Sequence, residues 1–301
     1  MKGSKALAFI LHTLIILRTY YVLKVLYWGI AMKKIIILTS NELRHSFMRK
    51  AIALDSEIEV LKSYCELKNT QAYTYTNAQD LQEKHLALRL QSEKDFFQAF
   101  VDLSPDLSKP HFIPDKAINN QEFIDEIIDL KPDLLIAYGC SLIEAPLIDF
   151  FGKAFLNVHL GLSPYYRGSG TNFFPLVNNE PEFVGASFMY IDKGIDTGDI
   201  IHQIRAEVCI NDDCHKIGNR LIAKVASTYK DLIKNYENLV PLKQPNDKKS
   251  GKLYKKKDFT LEATLKMYDN FANNLVEKYL QKPESQKASI LENPALTKDK
   301  Q

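Results

Sequence analysis

The chain has 301 residues, of which 46% are hydrophobic and 25% are charged. This composition is ordinary for a globular protein with a sizeable core. The formal net charge is +2, but residues 1–31 carry four basic side chains and no acidic one, which leaves 35 basic against 37 acidic side chains in the remainder. A slightly acidic body excludes general nucleic-acid binding, because such binding usually needs a concentrated basic face.

The first 31 residues are largely apolar but are interrupted by His12, Arg18 and Lys24. They therefore fall short of the run of about 20 apolar residues that a membrane span requires. No convincing small-residue cleavage site for a signal peptide precedes Met32. We interpret residues 1–31 as a non-native extension before a domain that starts at Met32, with a membrane-associating amphipathic helix as the alternative.

From Met32 onward, short apolar runs alternate with segments of helical periodicity. In chain order we predict a strand at 34–39, a helix at 43–54, a strand at 59–64, helices at 77–103 and 121–130, strands at 133–137, 155–159, 183–191 and 199–208, and a long helix from 212–213 toward 235. Ser40-Asn41 is predicted to cap the first helix, and Asp212-Asp213 the last. This alternation predicts an α/β fold with a doubly wound, mostly parallel sheet and a short C-terminal helical extension.

The C-terminal part is more polar. Residues 241–259 contain two prolines, a glycine and seven lysines, which is typical of a solvated linker. A helix is predicted at 260–280, followed by a frayed polar tail. We therefore expect one catalytic domain at 32–240, the linker at 241–259, and a helix with its tail at 260–301. Apolar side chains at helical spacing in this last segment also allow a homodimer, although packing on the chain's own domain is the preferred interpretation.

The four cysteines are too few and too scattered for a disulfide framework, so we expect reduced thiols. Cys209, Cys214 and His215 lie close together in the sequence. No second Cys-x-x-Cys and no distant His pair accompanies them, so they are interpreted as incidental or buried groups and no metal is predicted.

The most informative motif is Asn157-Val158-His159, which is followed 37 residues later by Asp196. Residues two apart on a strand point to the same face, so the amide and the imidazole can meet one reacting carbonyl. Acyl transfer needs hydrogen-bond donors at the oxygen where negative charge builds up, and Asn157 and His159 supply two. Asp196 could orient His159 or relay a proton. Each residue alone also has a structural explanation, as a strand end, a buried histidine or an Asx turn.

Taken together, these motifs resemble the folate-dependent formyltransferase family over roughly residues 32–240. They are Asn157-x-His159, Leu162-Ser163-Pro164, Arg167-Gly168 and Gly194-Ile195-Asp196-Thr197-Gly198. One departure is Ser163, where the family more often has leucine. The resemblance implies that 10-formyltetrahydrofolate is the formyl donor, that no metal is needed, and that Asn157, His159 and Asp196 are the catalytic triplet. A cytosolic folate also implies a cytoplasmic enzyme.

The resemblance further implies that the pterin lies between the segments 138–143 and 192–195. The residues that it assigns to folate binding are Tyr138, Cys140, Ser141, Ile143, Asp192, Lys193 and Gly194. Several of these side chains are equally suited to be plain core residues.

The acceptor is a primary amine in this family. Methionyl-tRNA formyltransferases resemble this domain with a C-terminal barrel added, but only 50 residues follow Gly251, which we expect to be too few for such a barrel. Glycinamide-ribonucleotide formyltransferases use a glycine-containing phosphate loop after the first strand, and residues 39–46 contain no glycine.

Side chains near the predicted site suit a nucleotide-linked amino sugar instead, as in sugar N-formyltransferases. Arg44 and His45 could contact a diphosphate, although a solvent-facing helix side explains them equally well. Tyr165, Tyr166 and Arg167 could contact a base or a sugar. We therefore predict a small-molecule amine, a nucleotide-sugar, as the partner.

Three other functions remain as alternatives. Methionyl-tRNA formylation uses the same triplet, and a formyltetrahydrofolate hydrolase would use it with water as the acceptor. A non-enzymatic folate-binding module is disfavoured because the triplet is intact. A nicotinamide enzyme is disfavoured because no G-x-G-x-x-G follows the first strand.

Overall fold

The computed structural model describes residues 32–68, 81–194, 196–244 and 251–297. The predictions for residues 1–31 and for the helical positions 77–80 lie outside these ranges. Nine strands occur in the described part. In chain order they are β1 (Lys33–Ser40), β2 (Ile58–Leu67), β3 (Pro110–Pro114), β4 (Leu134–Tyr138), β5 (Phe155–His159), β6 (Tyr166–Gly168), β7 (Gly185–Tyr190), β8 (Ile200–Arg205) and β9 (Lys252–Tyr254).

Seven of these strands form the central sheet, in the order β3-β2-β1-β4-β5-β7-β8. The pairs from β3 to β5 are parallel, whereas β7 is antiparallel to both of its neighbours. Strands β6 and β9 make a separate parallel pair. The predicted mostly parallel α/β sheet is therefore confirmed.

Helices cover both faces of the sheet. They are α1 (Leu43–Ala53), α2 (Leu81–Leu103), α3 (Gln121–Asp129), α4 (Ala145–Phe151), α5 (Phe174–Val177), α6 (Cys214–Lys234), α7 (Leu261–Ala272), α8 (Leu275–Gln281) and α9 (Pro294–Thr297). In the described ranges, none of these helices combines the length and apolar composition that crossing a bilayer requires.

The side chains of β1 show why two layers of helices form. Ile35 and Ile37 are fully buried in one cluster, with residues of α1 and α6. Ile36 and Leu38 are fully buried in a second cluster, with residues of α3 and α4. Because successive side chains of a strand point to opposite faces, this unbroken apolar run requires cover on both sides.

Two local predictions need correction. Strand β3 was not predicted, because a proline at each end breaks the pattern. Proline is tolerated mainly at sheet edges, and β3 lies at an edge. The predicted cap of the first helix is also wrong. Ser40 is buried inside β1, and Glu42 occupies the N-cap position without a side-chain hydrogen bond. By contrast, Asp213 caps α6 as predicted, accepting from the backbone N–H of His215 and Lys216.

Of the predicted solvated linker at 241–259, the structure describes residues 241–244 and 251–259, and these are paired and packed rather than free in solvent. Leu242 pairs with Ile200 at the edge of the sheet, and β9 pairs with β6. The Tyr254 ring stacks on Phe174, with 3.7 Å between the ring centroids. A lysine-rich composition does not prevent backbone pairing, because the charged ends of lysines reach solvent beyond their aliphatic stems.

The C-terminal segment is helical, as predicted, but it forms two helices instead of one. Asn274 adopts a left-handed conformation with φ of 62° between α7 and α8, which interrupts an α-helix. Met267 of α7 and Tyr279 of α8 are buried in the core of the domain. The side-chain amide of Asn270 donates to the carbonyl of Leu176 at 2.8 Å. The segment therefore packs on its own domain, which agrees with the interpretation preferred from the sequence.

The tail predicted to be frayed is bound along β8 up to residue 297. The backbone N–H of Gln203 donates to the carbonyl of Leu291 at 2.7 Å. Asn293 is fully buried, and its side-chain amide donates to the carbonyls of Ile201 at 2.8 Å and Val240 at 2.9 Å. Polar side chains hold this segment, so no hydrophobic pattern indicated it. The tail covers an edge strand that would otherwise expose unpaired backbone groups.

Candidate functional site

The predicted triplet comes together at the carboxyl end of β5. Asn157 and His159 lie two residues apart on β5 and share one face of it. Nδ1 of His159 lies 3.3 Å from Oδ2 of Asp196. The His159 side chain is 9% exposed and that of Asp196 is 13% exposed. The chain therefore brings the three side chains to one place, where His159 and Asp196 are largely shielded from solvent.

Both ring nitrogens of His159 face oxygen atoms. Nδ1 faces Asp196, and Nε2 lies 3.3 Å from the backbone carbonyl oxygen of Tyr166. The imidazole can donate to both oxygens only when it carries two protons. A Cβ atom at Gly161 would lie 2.6 Å from His159 Nε2, so glycine at this position leaves the ring the space it occupies.

A residue that sequence reasoning missed holds the Asp196 loop. The side-chain amide of Gln244 donates to the carbonyls of Asp196 at 3.0 Å and Gly198 at 2.8 Å. A Cβ atom at Gly198 would lie 1.8 Å from the carbonyl oxygen of Tyr190, so the loop can approach β7 this closely only with glycine there. Gln244 lies in the segment interpreted as a linker, and no motif marks it.

The other end of the loop is closed by its own side chains. Oδ1 of Asp192 accepts from the backbone N–H of Gly194 at 3.0 Å and from the hydroxyl of Thr197 at 2.8 Å. This Asx-type arrangement fixes the turn that precedes Asp196. The carboxylate of Asp196 is thus presented by a loop that is bonded at both ends.

A cleft of about 300 Å³ opens beside the triplet. Residues 139–143 line one side, and residues 190–192 and 196–198 line the other. Asn157 and Asp196 form part of its wall. Its volume lies at the lower end of the range for small-molecule sites, roughly 300–1,000 Å³.

Most of the residues predicted to bind folate line this cleft. They are Cys140, Ser141, Ile143, Asp192 and Gly194. Tyr138 and Lys193 are not among the lining residues. Tyr138 is 3% exposed and its ring packs against His45, while Lys193 extends outward to pair with Asp149 at 2.8 Å.

Strand β2 supports the cleft wall from behind. The buried carboxylate of Glu66 accepts from the backbone N–H of Ser141 at 2.6 Å. Burial, and then the nearby charge of Glu66, raise the pKa of the Cys140 thiol to about 12, so this thiol is not a nucleophile at neutral pH. Glu66 is a second supporting residue that the sequence did not indicate, because a lone carboxylate at a strand end has no recognisable motif.

A buried hydrogen-bond network supports the loop that follows His159. The Ser187 hydroxyl donates to the carbonyl of Gly161 at 2.7 Å and accepts from the backbone N–H of Ser163 at 3.0 Å. The Gln203 amide donates to the Ser163 carbonyl at 2.7 Å. The side-chain oxygen of Gln203 in turn accepts from the backbone N–H of Leu291 in the tail at 3.0 Å. The tail is thus connected to the site through two side chains.

The structure does not present Arg44 and His45 to an acceptor as predicted. Arg44 pairs with Glu93 at 2.9 Å and also with Glu42. His45 is 2% exposed, and its Nδ1 lies 3.3 Å from the Glu42 carboxylate. That contact is not an ion pair, because the ring is kept neutral by burial. The alternative interpretation was that these side chains face solvent from one side of the helix. It is also wrong for His45, because α1 packs against the sheet and buries this ring.

Burial of His45 has a consequence for the cleft. Burial first, and then the positive charges of Arg44, Lys68 and Arg89, hold the pKa of His45 well below 6.5. A Cβ atom at Gly139, where φ is 71°, would lie 2.4 Å from Nε2 of His45. The neutral ring therefore packs directly under one wall of the cleft.

We expect acid to weaken the fold through His45. Its pKa is lower in the folded state than the ordinary 6.5 of the unfolded chain, so the unfolded chain binds more protons and the free energy of unfolding falls as pH drops below about 6.5. Urea unfolding of the wild type and of His45→Gln, measured between pH 7 and pH 4, roughly the range over which a depressed histidine acts, should show a smaller loss in the variant. His111→Gln on β3 is the matched control and should lose stability as the wild type does. Equal slopes for the wild type and His45→Gln would refute this role.

Of the three other predicted substrate residues, one is buried. Tyr166 is 1% exposed; its hydroxyl donates to Glu180 and accepts from the side-chain amide of Asn178 at 2.8 Å. Burial raises its pKa. Tyr165 and Arg167 are half-buried, and Nε of Arg167 has no hydrogen-bond partner in the part of the chain that the structure describes. Tyr165 and Arg167 therefore remain the candidates for acceptor contacts.

Known proteins are similar to this chain in sequence and in fold. The family model described as formyl transferase matches residues 58–233. A methionyl-tRNA formyltransferase from Caldicellulosiruptor saccharolyticus is 30% identical over 151 residues, which are 46% of this chain and 48% of that protein. The chain spans about half the length of the curated relatives it matches.

Solved structures share the fold. A 4-N formyltransferase from Francisella tularensis has a TM-score of 0.50 and 20% identity, over 79% of this chain and 87% of that one. WlaRD, a sugar 3N-formyl transferase solved in the presence of dTDP and 5-N-formyl-THF, has a TM-score of 0.50 and 18% identity, over 80% of each chain. At this level of identity the likeness shows the fold alone.

Proposed function

Because the chain belongs to the formyl transferase family, we propose that it transfers a formyl group from 10-formyltetrahydrofolate to the primary amine of a nucleotide-linked amino sugar. The observation that carries this proposal is the contact of His159 with Asp196 at 3.3 Å, made beside a cleft whose wall includes Asn157. The family model that matches residues 58–233 confirms the resemblance of the motifs to this family.

The cleft fits one ring system of the donor. Residues 139–143 and 190–192 line it, and we expect backbone groups of these segments to bind the polar edge of a heterocycle. Its volume of about 300 Å³ suits the pterin rather than the whole molecule. When bound, the donor supplies an activated formyl carbon, and the chain's residues must position it and stabilise the charge that develops.

Asn157 and His159 would stabilise that charge. As the amine nitrogen bonds to the formyl carbon, negative charge builds up on the formyl oxygen, and donors already aimed at that oxygen lower the barrier. The amide of Asn157 is one donor. The His159 ring, held by Asp196 through Nδ1, presents Nε2 as the second, in place of its contact with the Tyr166 carbonyl.

Asp196 would have a second task. The attacking amine must lose a proton as the new carbon–nitrogen bond forms, and the donor nitrogen must gain one as the old bond breaks. The Asp196 carboxylate can accept the first proton, directly or through water. The loop bonds from Gln244 keep the carboxylate in place for this transfer.

The support for a nucleotide-linked acceptor comes from residues outside the triplet. Arg167 lies in β6 and Tyr165 directly precedes it, and both are half-buried. Strand β6 also brings the Tyr166 carbonyl to His159, and a guanidinium suits a diphosphate. WlaRD, which shares the fold, is named a sugar 3N-formyl transferase and was solved in the presence of dTDP. Methionyl-tRNA is the second candidate acceptor, because the relatives with about 30% identity carry that activity in their names.

The test uses the full chain with 10-formyltetrahydrofolate and a panel of UDP- and dTDP-linked amino sugars. Mass spectrometry should show the gain of one formyl group on a panel member, and only when the donor is present. Charged initiator tRNA is assayed in parallel, and its formylation in the absence of any sugar product would overturn the acceptor. Release of formate without any amine would identify a hydrolase, and no turnover of the donor would refute the transferase function.

A further inference from the structure

A second cluster of chemically active side chains lies outside the cleft. His85 of α2 meets Cys214 and His215, the first two residues of α6. One ligand atom from each of the three lies within 4.8 Å of the other two. The two imidazole rings are 4.6 Å apart between centroids and are tilted by 43°. The sequence separates His85 from Cys214 by 129 positions, so only the fold shows this grouping.

Hydrogen bonds leave the same nitrogen available on both histidines. Nδ1 of His85 lies 3.1 Å from the hydroxyl of Tyr268 on α7, so Nε2 is the atom free to bind. Nε2 of His215 is buried and has no hydrogen-bond partner within the described ranges. A buried polar atom without a partner is costly, and its presence indicates a ligand at this point.

The surroundings of the cluster suit a cation. A neutral imidazole offers a lone pair to a metal. Arg89 is a basic side chain that acts on both rings, and it is paired with Glu93 at 3.3 Å. The Asp213 carboxylate adds negative charge beside His215.

We propose that His85, Cys214 and His215 bind a zinc ion. Two imidazole nitrogens and one thiolate are ligands that Zn²⁺ prefers, and a tetrahedral site with three protein ligands keeps its fourth position for water. Binding forms one sulfur–zinc and two nitrogen–zinc bonds, and the Cys214 thiol releases its proton to solvent. Tyr268 orients the His85 ring as an outer hydrogen-bond partner.

Such a site would connect three helices on one side of the sheet. Its ligands come from α2 and α6, and its outer partner comes from α7. A metal that binds the folded chain and not the unfolded one raises stability by mass action. The site is independent of formyl transfer, since none of its residues belongs to the catalytic triplet or the cleft.

The test is a titration of the chelator-treated full chain with Co²⁺, a spectroscopic substitute for Zn²⁺. We expect one equivalent to bind, with a thiolate-to-cobalt charge-transfer band in the near ultraviolet that Zn²⁺ then abolishes by displacement. Cys214→Ser should lose the band. Cys209→Ser is the matched control and should keep it, because that thiol lies outside the cluster, near Glu207. Tyr268→Phe should weaken binding by about 10- to 100-fold.

A second variant keeps the test decisive if Cys214→Ser fails to fold, which circular dichroism will show. His85→Gln retains the thiol and should bind Co²⁺ at least about tenfold more weakly than the wild type, since loss of a ligand costs no less than loss of an outer partner. Absence of stoichiometric binding to the wild type, an unchanged band in folded Cys214→Ser, or unchanged affinity in His85→Gln would overturn the proposal.

Discussion

Replacement of His159 by alanine is expected to lower kcat for formyl transfer by about 10²- to 10³-fold, the usual effect of removing one donor from a developing oxyanion. In the proposed mechanism the ring donates from Nε2 to that oxygen, while its Nδ1 lies 3.3 Å from Asp196. Because the interaction is realised mainly in the transition state, kcat and kcat/KM should fall together while KM for the folate changes little. Steady-state kinetics with the acceptor identified in the panel will measure both.

The matched control for this experiment is His111→Ala. His111 lies on the edge strand β3, far along the sheet from β5, so its loss should leave kcat near the wild-type value. Circular dichroism should show both variants folded. A folded His159→Ala enzyme with wild-type turnover would remove the basis of the proposed mechanism.

The second large effect is expected from Asp196→Asn. An amide cannot accept the proton that the attacking amine loses, and general acid–base catalysis typically contributes about 10²- to 10⁴-fold, so kcat should fall by that range. The loop should keep its geometry, because Gln244 bonds to backbone carbonyls that the substitution does not alter. Asp196 has φ of 54°, a conformation that asparagine also tolerates.

Asp199→Asn serves as the control, since Asp199 is an exposed carboxylate three positions later. It removes the same charge from the same segment without touching His159. If both variants lost activity equally, the net charge of the segment rather than the carboxylate beside His159 would be responsible.

Periodicity predicted most of the central sheet because its strands are buried by side chains that sequence patterns reveal. β5 occupies the predicted residues, and β4 starts and ends within one residue of its prediction. The cap at Asp213 was also predictable, because a carboxylate just before a helix commonly accepts hydrogen bonds from the first backbone N–H groups of that helix. Strand β3 was not visible, since Pro110 and Pro114 argue against a strand unless its edge position is known.

The meeting of Asn157, His159 and Asp196 was predictable for a different reason. Asn157 and His159 are fixed relative to one another by the period of a strand, and a family motif connects them to Asp196. Residues that support the triplet have no such signature. Gln244 and Glu66 act through single hydrogen bonds to distant backbone groups, and no local pattern determines which backbone group a polar side chain will reach.

Polar contacts also explain the predictions that differ from the structure. Asn293 and Gln203 hold the tail by satisfying backbone groups rather than by hydrophobic burial. Cys214 and His215 were interpreted as incidental because no second Cys-x-x-Cys and no distant His pair accompanies them, and that interpretation is replaced only if the proposed zinc site is found. His85 completes that cluster from another helix, a position that requires the tertiary structure.

The path from Leu291 through Gln203 to Ser163 has a practical consequence for anyone who shortens or labels this polypeptide. A fragment trimmed to residues 32–240 would keep every member of the triplet, yet it would strip the edge of β8 and leave the Gln203 carboxamide oxygen without its tail partner. Proteolytic nicking or a bulky fusion near Ala288, whose carbonyl accepts from Arg205 of β8, would act in the same way. The C-terminal end of the described chain thus stabilises the loop that follows His159.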